Sequence, residues 1–445
     1  MKTLLLAASS LVATAAFALG PRIDPATVSL TQDGARLVTV KYTLENCPGI
    51  VTLDFQTNRL NAATSDEADW VSIGGENVQG VEGDVNRLVT ELGEHTLTWQ
   101  PREFWPDHKT KTGAFRAVVT VWATNAPPDY LVVDLKAASN LTYYADASFI
   151  PRGGITNDYY KQDAIVMRLI KAKGRSWMMG SPDGSYNHKA NEPYHQVILT
   201  NDYYMGIYML TRGQFGQFAK YVSNGGSYYY EIDGLKIYNY PSAYGATMEP
   251  WQSCPVRGVI YAAMRGASAD FNWPKDRHKV SDARWLGKAR AFTGVDFDLS
   301  TEAQWEFACR AGTATVVYSG DFNASTHDNY LRPIAWYNSN RKVDGVSYNW
   351  FPVGLKLQNA FGLYDTIGNG KEAVLDRYAA DYGGTANPFE PEGPDLDTGD
   401  RVYRSMHAIW DYPEHRAANR ETNGRNYEGT RLVCPVALTY PESEK

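Results

Sequence analysis

The stretch Leu299-Ser-Thr-Glu-Ala-Gln-Trp-Glu-Phe-Ala-Cys-Arg-Ala-Gly312 decides how the rest of the chain is read. Thr301 and Gln304 have the spacing at which an N-cap hydroxyl and a side-chain amide satisfy each other's backbone N–H groups, so a helix is expected from Thr301. It runs through Trp305 and Ala308 and stops near Gly312, a residue suited to the left-handed turn that ends many helices. Thr211-Arg-Gly-Gln214 repeats the capping pattern, and Phe215, Phe218 and Val222 follow on one helical face. Between the two helices, residues 225–250 are crowded with Tyr and Gly. They read as an ordered surface loop in which only the aromatic density points to ligand stacking.

Upstream of these helices the period shortens to two. Val38, Val40, Tyr42 and Leu44 alternate with Thr39, Lys41 and Thr43, and Val51, Leu53 and Phe55 with Thr52 and Asp54, so each strand buries one face. Further strands are expected at Leu97 to Trp99, Ala117 to Ala123 and Tyr130 to Leu135, the last pair separated by the turn Asn125-Ala-Pro-Pro-Asp129. The expectation is an all-β sandwich of immunoglobulin or fibronectin type over residues 21–145, with no cluster able to carry chemistry and hence a spacer or docking role. A linker hinged at Pro151-Arg-Gly-Gly154 leads through residues 146–172 into a second domain over 173–437.

The 445 residues suffice for two or three domains of roughly 150 residues each. Hydrophobic residues at 43% and charged residues at 21% exclude wholesale disorder and a coiled-coil rod. Scattered Lys and Arg, 43 against 50 Asp and Glu, leave a net charge of −7, so no nucleic acid or anionic membrane surface is expected as main partner. The 30 Tyr and 12 Trp beside 38 Gly favour β-rich, loop-rich architecture over helical bundles. Met-Lys at the start, an apolar run from Leu4 to Leu19 and small residues around Ala16 and Ala18 read as a signal peptide over residues 1–20. No later stretch approaches the roughly 18 apolar residues of a membrane span, so no membrane insertion is expected. The expected localisation is secreted, periplasmic or cell-surface, where disulfides persist, although Cys47, Cys254, Cys309 and Cys434 show no CxxC or zinc spacing.

From about Gly174 to Pro435, short matches accumulate in order. They are Met179-Gly-Ser181, Glu192-Pro193, Tyr208-Met-Leu-Thr211-Arg-Gly-Gln-Phe215, Cys254-Pro-Val256 and the stretch ending at Gly312. Pro352-Val-Gly354, Asn359-Ala-Phe-Gly-Leu-Tyr-Asp-Thr-Ile-Gly-Asn369, Arg401-Val-Tyr-Arg404 and Gly429-Thr-Arg431 follow. In that order they resemble the formylglycine-generating enzyme family, or sulfatase-modifying factors, with the Glu302 and Asn359 blocks the specific ones. The resemblance implies an α+β domain of C-type-lectin-like fold behind the sandwich. It also implies a calcium site at Asp365, Gly368, Gly370 and Glu372, two carboxylates and two carbonyls that suit a hard cation. A second would use Asn329, Tyr330, Asp344 and Val346. Members that join the helix to the strand after their GFR element imply a disulfide between Cys309 and Cys434, and a two-residue offset keeps Cys434 on the same strand face.

The family's oxidases use copper and a cysteine pair between their RGGSW and GFR elements, thiolate being a natural ligand of Cu(I). No cysteine lies between Cys309 and Cys434. The segment Met406-His-Ala-Ile-Trp-Asp-Tyr-Pro-Glu-His-Arg416 offers Trp410 and Tyr412 as faces for a ligand, with His407 and His415 read as structural or surface groups. Copper is therefore not expected, and structural calcium is. No nucleophile elbow or phosphate-cradling loop is present, and Glu390 to Asp400 reads as a solvated acidic loop. The expected function is an exported, calcium-stabilised, non-catalytic module that binds a peptide, glycan or protein partner. The alternative is an active formylglycine-generating oxidase, or a related enzyme using different residues.

Overall fold

In the computed structural model the described residues are 19–63, 66–224, 227–238, 246–258, 261–266, 279–380, 401–422 and 428–436. The expected signal peptide up to residue 18, part of the Tyr-rich stretch and the acidic run lie outside them. No described helix is long and apolar enough to cross a membrane.

The chain divides into two compact units, Met1–Ser72 with Gly80–Ala123 and Ile73–Gln79 with Thr124–Lys445. In the first, strand Val38–Glu45 alternates as its sequence requires: Val38, Val40, Tyr42 and Leu44 are buried while Lys41 faces water. It pairs antiparallel with Arg22–Ile23, Ser29–Gln32 and Gly93–Trp99. A second antiparallel sheet centres on Gly49–Asn58, flanked by Trp70–Ser72, Arg87–Val89 and Phe115–Trp122. Phe55 of one sheet stacks on Trp99 of the other with ring centroids 4.6 Å apart, so the inward positions of both sheets share one core.

The second unit begins earlier than expected. Strand Tyr130–Asp134 exists as read, but with Leu141–Tyr144 it joins a six-stranded sheet that continues through Ala164–Ile170, Tyr203–Gly206, Leu432–Pro435 and Asp298–Leu299. The division therefore follows Ala123 rather than residue 145. Leu131, Val132 and Val133 are all buried, the pattern of a strand covered on both faces and unlike the alternation of strand Val38–Glu45. The segment read as a linker belongs to the fold too, because Ile150 and Tyr160 lie in its core.

Helix Glu302–Arg310 has the capping box expected of it, with Thr301 Oγ1 accepting from Gln304 N and Gln304 Oε1 from Thr301 N. It ends on a left-handed Ala311. The helix at Thr211 is capped in the same way but covers only Arg212–Gly216, and Val222 lies instead in strand Lys220–Asn224. Gly213 and Gly216 weaken the helix, whereas Tyr221 and Val222 favour a strand. Their partner is the Tyr-rich stretch itself, which forms strands Ser227–Ile232 and Leu235–Tyr238 where a loop was expected.

The expected disulfide is not formed, and all four cysteines are free. Val433 shares a core with Phe307 and Ala308 of the helix, so its neighbour Cys434 projects from the opposite face of the sheet. There its Sγ lies 3.7 Å from Met167 Sδ. Cys309 turns its thiol toward the Thr366 carbonyl at 3.9 Å.

Candidate functional site

Helix Glu302–Arg310 carries two carboxylates into the core, where arginines from later in the chain meet them. Glu302 Oε1 accepts from Arg404 Nη1 at 2.7 Å and Arg420 Nε at 2.5 Å, and its Oε2 from Arg420 Nη2 at 2.8 Å. Glu306 accepts from Arg404 Nη2 at 2.6 Å and Arg310 Nε at 2.8 Å. Glu192 holds Arg416 through bonds of 2.7 and 2.6 Å. All of these side chains are buried. Burial pushes the Glu302 carboxyl up, but Arg420 and Arg404 together outweigh it and the net shift is downward, so the group stays charged. The segment between Arg404 and Arg420 is thus pinned to the core near both ends.

That segment carries the residues expected to bind a ligand, and the structure separates them. Trp410 is 40% exposed, and Lys371 Nζ stands 5.9 Å from its ring centroid. Its backbone is held on both sides: its N–H donates to the His407 carbonyl and its carbonyl accepts from Asn338 N, each at 3.0 Å. Tyr412 starts a single 3₁₀ turn, and its ring is stacked 3.7 Å from that of His327 and 6.4 Å from that of Tyr186. Trp410 is presented to solvent, whereas Tyr412 is part of a packed aromatic stack.

His407 and His415 are buried beneath this surface. Burial lowers the His415 imidazole to about 4. For His407 burial is again the main cause, and Arg257, the His415 ring, Lys371 and Arg341 push further in the same direction. Both rings are therefore neutral at physiological pH. His415 Nδ1 donates to the Asp411 carbonyl at 2.9 Å, while His407 Nδ1 accepts from Ile409 N at 3.3 Å, so the two are opposite tautomers. Among the described residues no three His, Cys, Asp or Glu side chains are grouped as a metal-binding set.

The residues of the first expected calcium site part company as well. Asp365 and Glu372 are both fully buried. Glu372 is saturated: Arg431 Nη2 reaches Oε1 at 2.8 Å, and Arg431 Nε and Trp305 Nε1 reach Oε2 at 3.1 and 2.8 Å. Asp365 Oδ2 accepts from Gly354 N at 2.8 Å, but its Oδ1 has no hydrogen-bond partner among the described residues. Burial raises the Asp365 carboxyl to about 6 despite the Gly354 N–H and the more distant Arg431. Gly368 closes the turn at φ +87°, where a Cβ would lie 2.5 Å from the Trp336 carbonyl oxygen. The orphaned Asp365 oxygen fits a bound cation, and Glu372, neutralised by Arg431, does not. Of the second set, Asn329 is exposed on helix His327–Leu331, and the Tyr330 carbonyl accepts from Ser319 Oγ at 2.8 Å. Asp344, with Gly345, makes the two-residue turn between paired Val343 and Val346, both in the left-handed region that a tight hairpin needs.

Residues 161–434 match the sulfatase-modifying factor enzyme 1-like domain. The chain belongs to this family. The formylglycine-generating enzyme of Mus musculus is 24% identical over 283 residues, 60% of this chain and 73% of that protein. That of Thermomonospora curvata is 24% identical over 251 residues, 53% of this chain and 80% of that one. Among solved structures, PvdO from Pseudomonas aeruginosa aligns with 61% of this chain and 94% of its own, at 20% identity and a TM-score of 0.45. The sulfatase-modifying-factor domain takes in the arginine framework, the Trp410 segment and the Asp365 turn, all within the second unit. Sequence reasoning found Glu302, Arg404 and Arg431 as motif letters but not as ion-pair partners. It had no signal for Arg257, Arg341 and Lys371, which only the fold brings around His407.

Proposed function

We propose that the chain is an exported, non-catalytic member of its family, a binding module that presents Trp410 to a peptide, glycan or protein partner. On this reading a C-type-lectin-like scaffold follows an immunoglobulin- or fibronectin-like sandwich. The observation that carries the proposal is Trp410 itself, a solvent-facing indole beside Lys371 on a segment held near both ends by buried ion pairs. An aromatic anchor already fixed in place loses little ordering entropy when it binds. It stands in the stretch where the family's oxidases keep their cysteine pair, and the cysteines nearest in sequence do not replace them. Burial pushes the Cys309 thiol up to about 12 and the Cys434 thiol well above its ordinary value, so neither supplies the thiolate that copper requires. Copper has no part in the proposal. Calcium is proposed as the structural cofactor, with Asp365 as its carboxylate ligand and Glu372 left on Arg431.

Two measurements test the reading. Purified protein given copper, oxygen and a peptide bearing the sulfatase motif should form no aldehyde above background. Peptide and glycan arrays should give signals with the native protein that Trp410→Ala loses while its melting temperature stays the same. Copper-dependent aldehyde formation, or arrays on which the variant and the native protein behave alike, would overturn the proposal.

A further inference from the structure

The first unit carries an open cavity of about 320 Å³, at the small end of the roughly 300–1,000 Å³ typical of small-molecule sites. Strand Gly93–Trp99 ends at its wall, helix Pro101–Phe104 follows, and the chain then arches back to strand Phe115–Trp122. Three of its lining rings form a tight triangular cluster: Trp105 lies 6.4 Å from Trp99 and 5.8 Å from Phe115, and Trp99 lies 6.3 Å from Phe115, with interplanar angles of 22–28°. Trp105 is held from another side by His108, stacked at 4.3 Å. Trp99 is 1% exposed, and its Nε1 has no hydrogen-bond partner among the described residues. A buried N–H without an acceptor is uncommon in folded proteins.

The rim adds a second, independent feature. Arg36, Arg102 and Lys109 line the cavity, and no ion pair among the described residues engages them. Asp107 is the one acidic residue of the lining, with Asp33 and Glu103 next to Arg36 and Arg102 outside it. Within a chain of net charge −7 the lining itself therefore carries more positive than negative side chains. The combination selects for a ligand that is flat and apolar on one face, polar around its edge and negatively charged.

We infer that this cavity is a binding site for an acidic saccharide. The C–H face of a pyranose packs on the part-exposed Trp105 and Phe115 side of the aromatic cluster, as sugar rings do on indoles. The Trp99 N–H donates to a ring or hydroxyl oxygen, Asp107 accepts from a hydroxyl, and the three cations meet a carboxylate or sulfate. The site lies wholly within the first unit and is independent of the proposed ligand face at Trp410.

The test is titration calorimetry on the full chain with three probes: a galacturonic acid trisaccharide, a sulfated heparin disaccharide and neutral maltotriose. At least one acidic probe should bind about tenfold more tightly than maltotriose, and that preference should shrink in high salt. Trp105→Ala should weaken binding by about tenfold or more, and Trp99→Phe, which keeps a ring but removes the N–H, by several-fold. The double variant Arg36→Gln/Arg102→Gln should remove the preference for the acidic probe. Preference for one acidic probe assigns the anion as carboxylate or sulfate. No binding by any probe, equal binding of maltotriose, or native affinity in both Trp105→Ala and the double arginine variant would overturn the inference.

Discussion

Glu302, Glu306 and Glu372 in the arginine framework and Asp365 in the glycine turn are equally deep, none more than 1% exposed. Their chemistry diverges because their neighbours do. Each framework glutamate accepts two or more charged or polar N–H groups, and Glu302 is held below its ordinary range despite its burial. Asp365 accepts one N–H, keeps one oxygen unpartnered, and is raised to about 6 mainly by burial. Depth alone therefore says nothing about a carboxylate's charge. The framework glutamates are fully paired, whereas Asp365 keeps one carboxylate oxygen without a hydrogen bond among the described residues.

The largest effect should come from breaking the framework. Arg404→Ala leaves two glutamates buried with fewer partners and should cost about 3–5 kcal/mol in denaturant unfolding. A loss below about 1 kcal/mol would mean that solvent or neighbouring arginines compensate, and the contrast with Asp365 would fail.

Asp365→Asn should act in the opposite direction. A raised carboxyl pKa means that the folded state binds the proton more tightly than the unfolded chain does. The stabilising protonated form is fully present below about pH 4, the unfolded value, and its contribution is lost as pH rises through about 6. The amide keeps an acceptor for Gly354 N and removes the charge. The variant should therefore be more stable than the native protein by on the order of 2–3 kcal/mol at pH 7.5, with the two converging below about pH 4. Unfolding curves across that range without calcium would measure the difference, and parallel curves would place Asp365 in the same class as the glutamates.

Calcium should sharpen the same contrast. At about ten times its dissociation constant it should stabilise the native protein by about 1.4 kcal/mol, with chelator reversing the gain and Asp365→Asn abolishing it. Glu372→Gln decides the second ligand. A preserved calcium response leaves Glu372 with Arg431, and a lost response in a folded variant means that the ion displaces the arginine.

The smallest effects lie on the segment that the framework holds. Tyr412→Ala should cost about 1–2 kcal/mol through its stack with His327 and Tyr186, whereas Trp410→Ala should change stability by no more than about 0.5 kcal/mol. Thermal melts of both would show whether exposure or packing governs each ring.

Much of the fold was legible where its cause is local. The Thr301 and Gln304 capping box links residues three apart, and the alternation from Val38 to Leu44 needs only one buried face, so both appear in the structure as read. The same local reasoning failed where a segment's partner decides its state. Val222 left its expected helix because a strand was available to pair with it, and Tyr130–Asp134 joined the second sheet because Ala164–Ile170 lies beside it. At the candidate site, Trp410 and Tyr412 are two residues apart and look alike in sequence, yet one faces solvent and the other a stack.

By itself the sequence determined the family's ordered motifs, the helix caps and the strand periods, since hydrogen bonds and hydrophobic alternation over a few residues carry that information. Only the tertiary structure decided that Glu372 belongs to Arg431, 59 residues away, that Asp365 keeps an open oxygen, and that Cys309 and Cys434 project from different places. It also decided that Trp99, Trp105 and Arg36 meet around one cavity. The physical reason is common to all of these: the state of a buried polar group depends on which distant groups share its low-dielectric surroundings, and sequence spacing does not encode that neighbourhood.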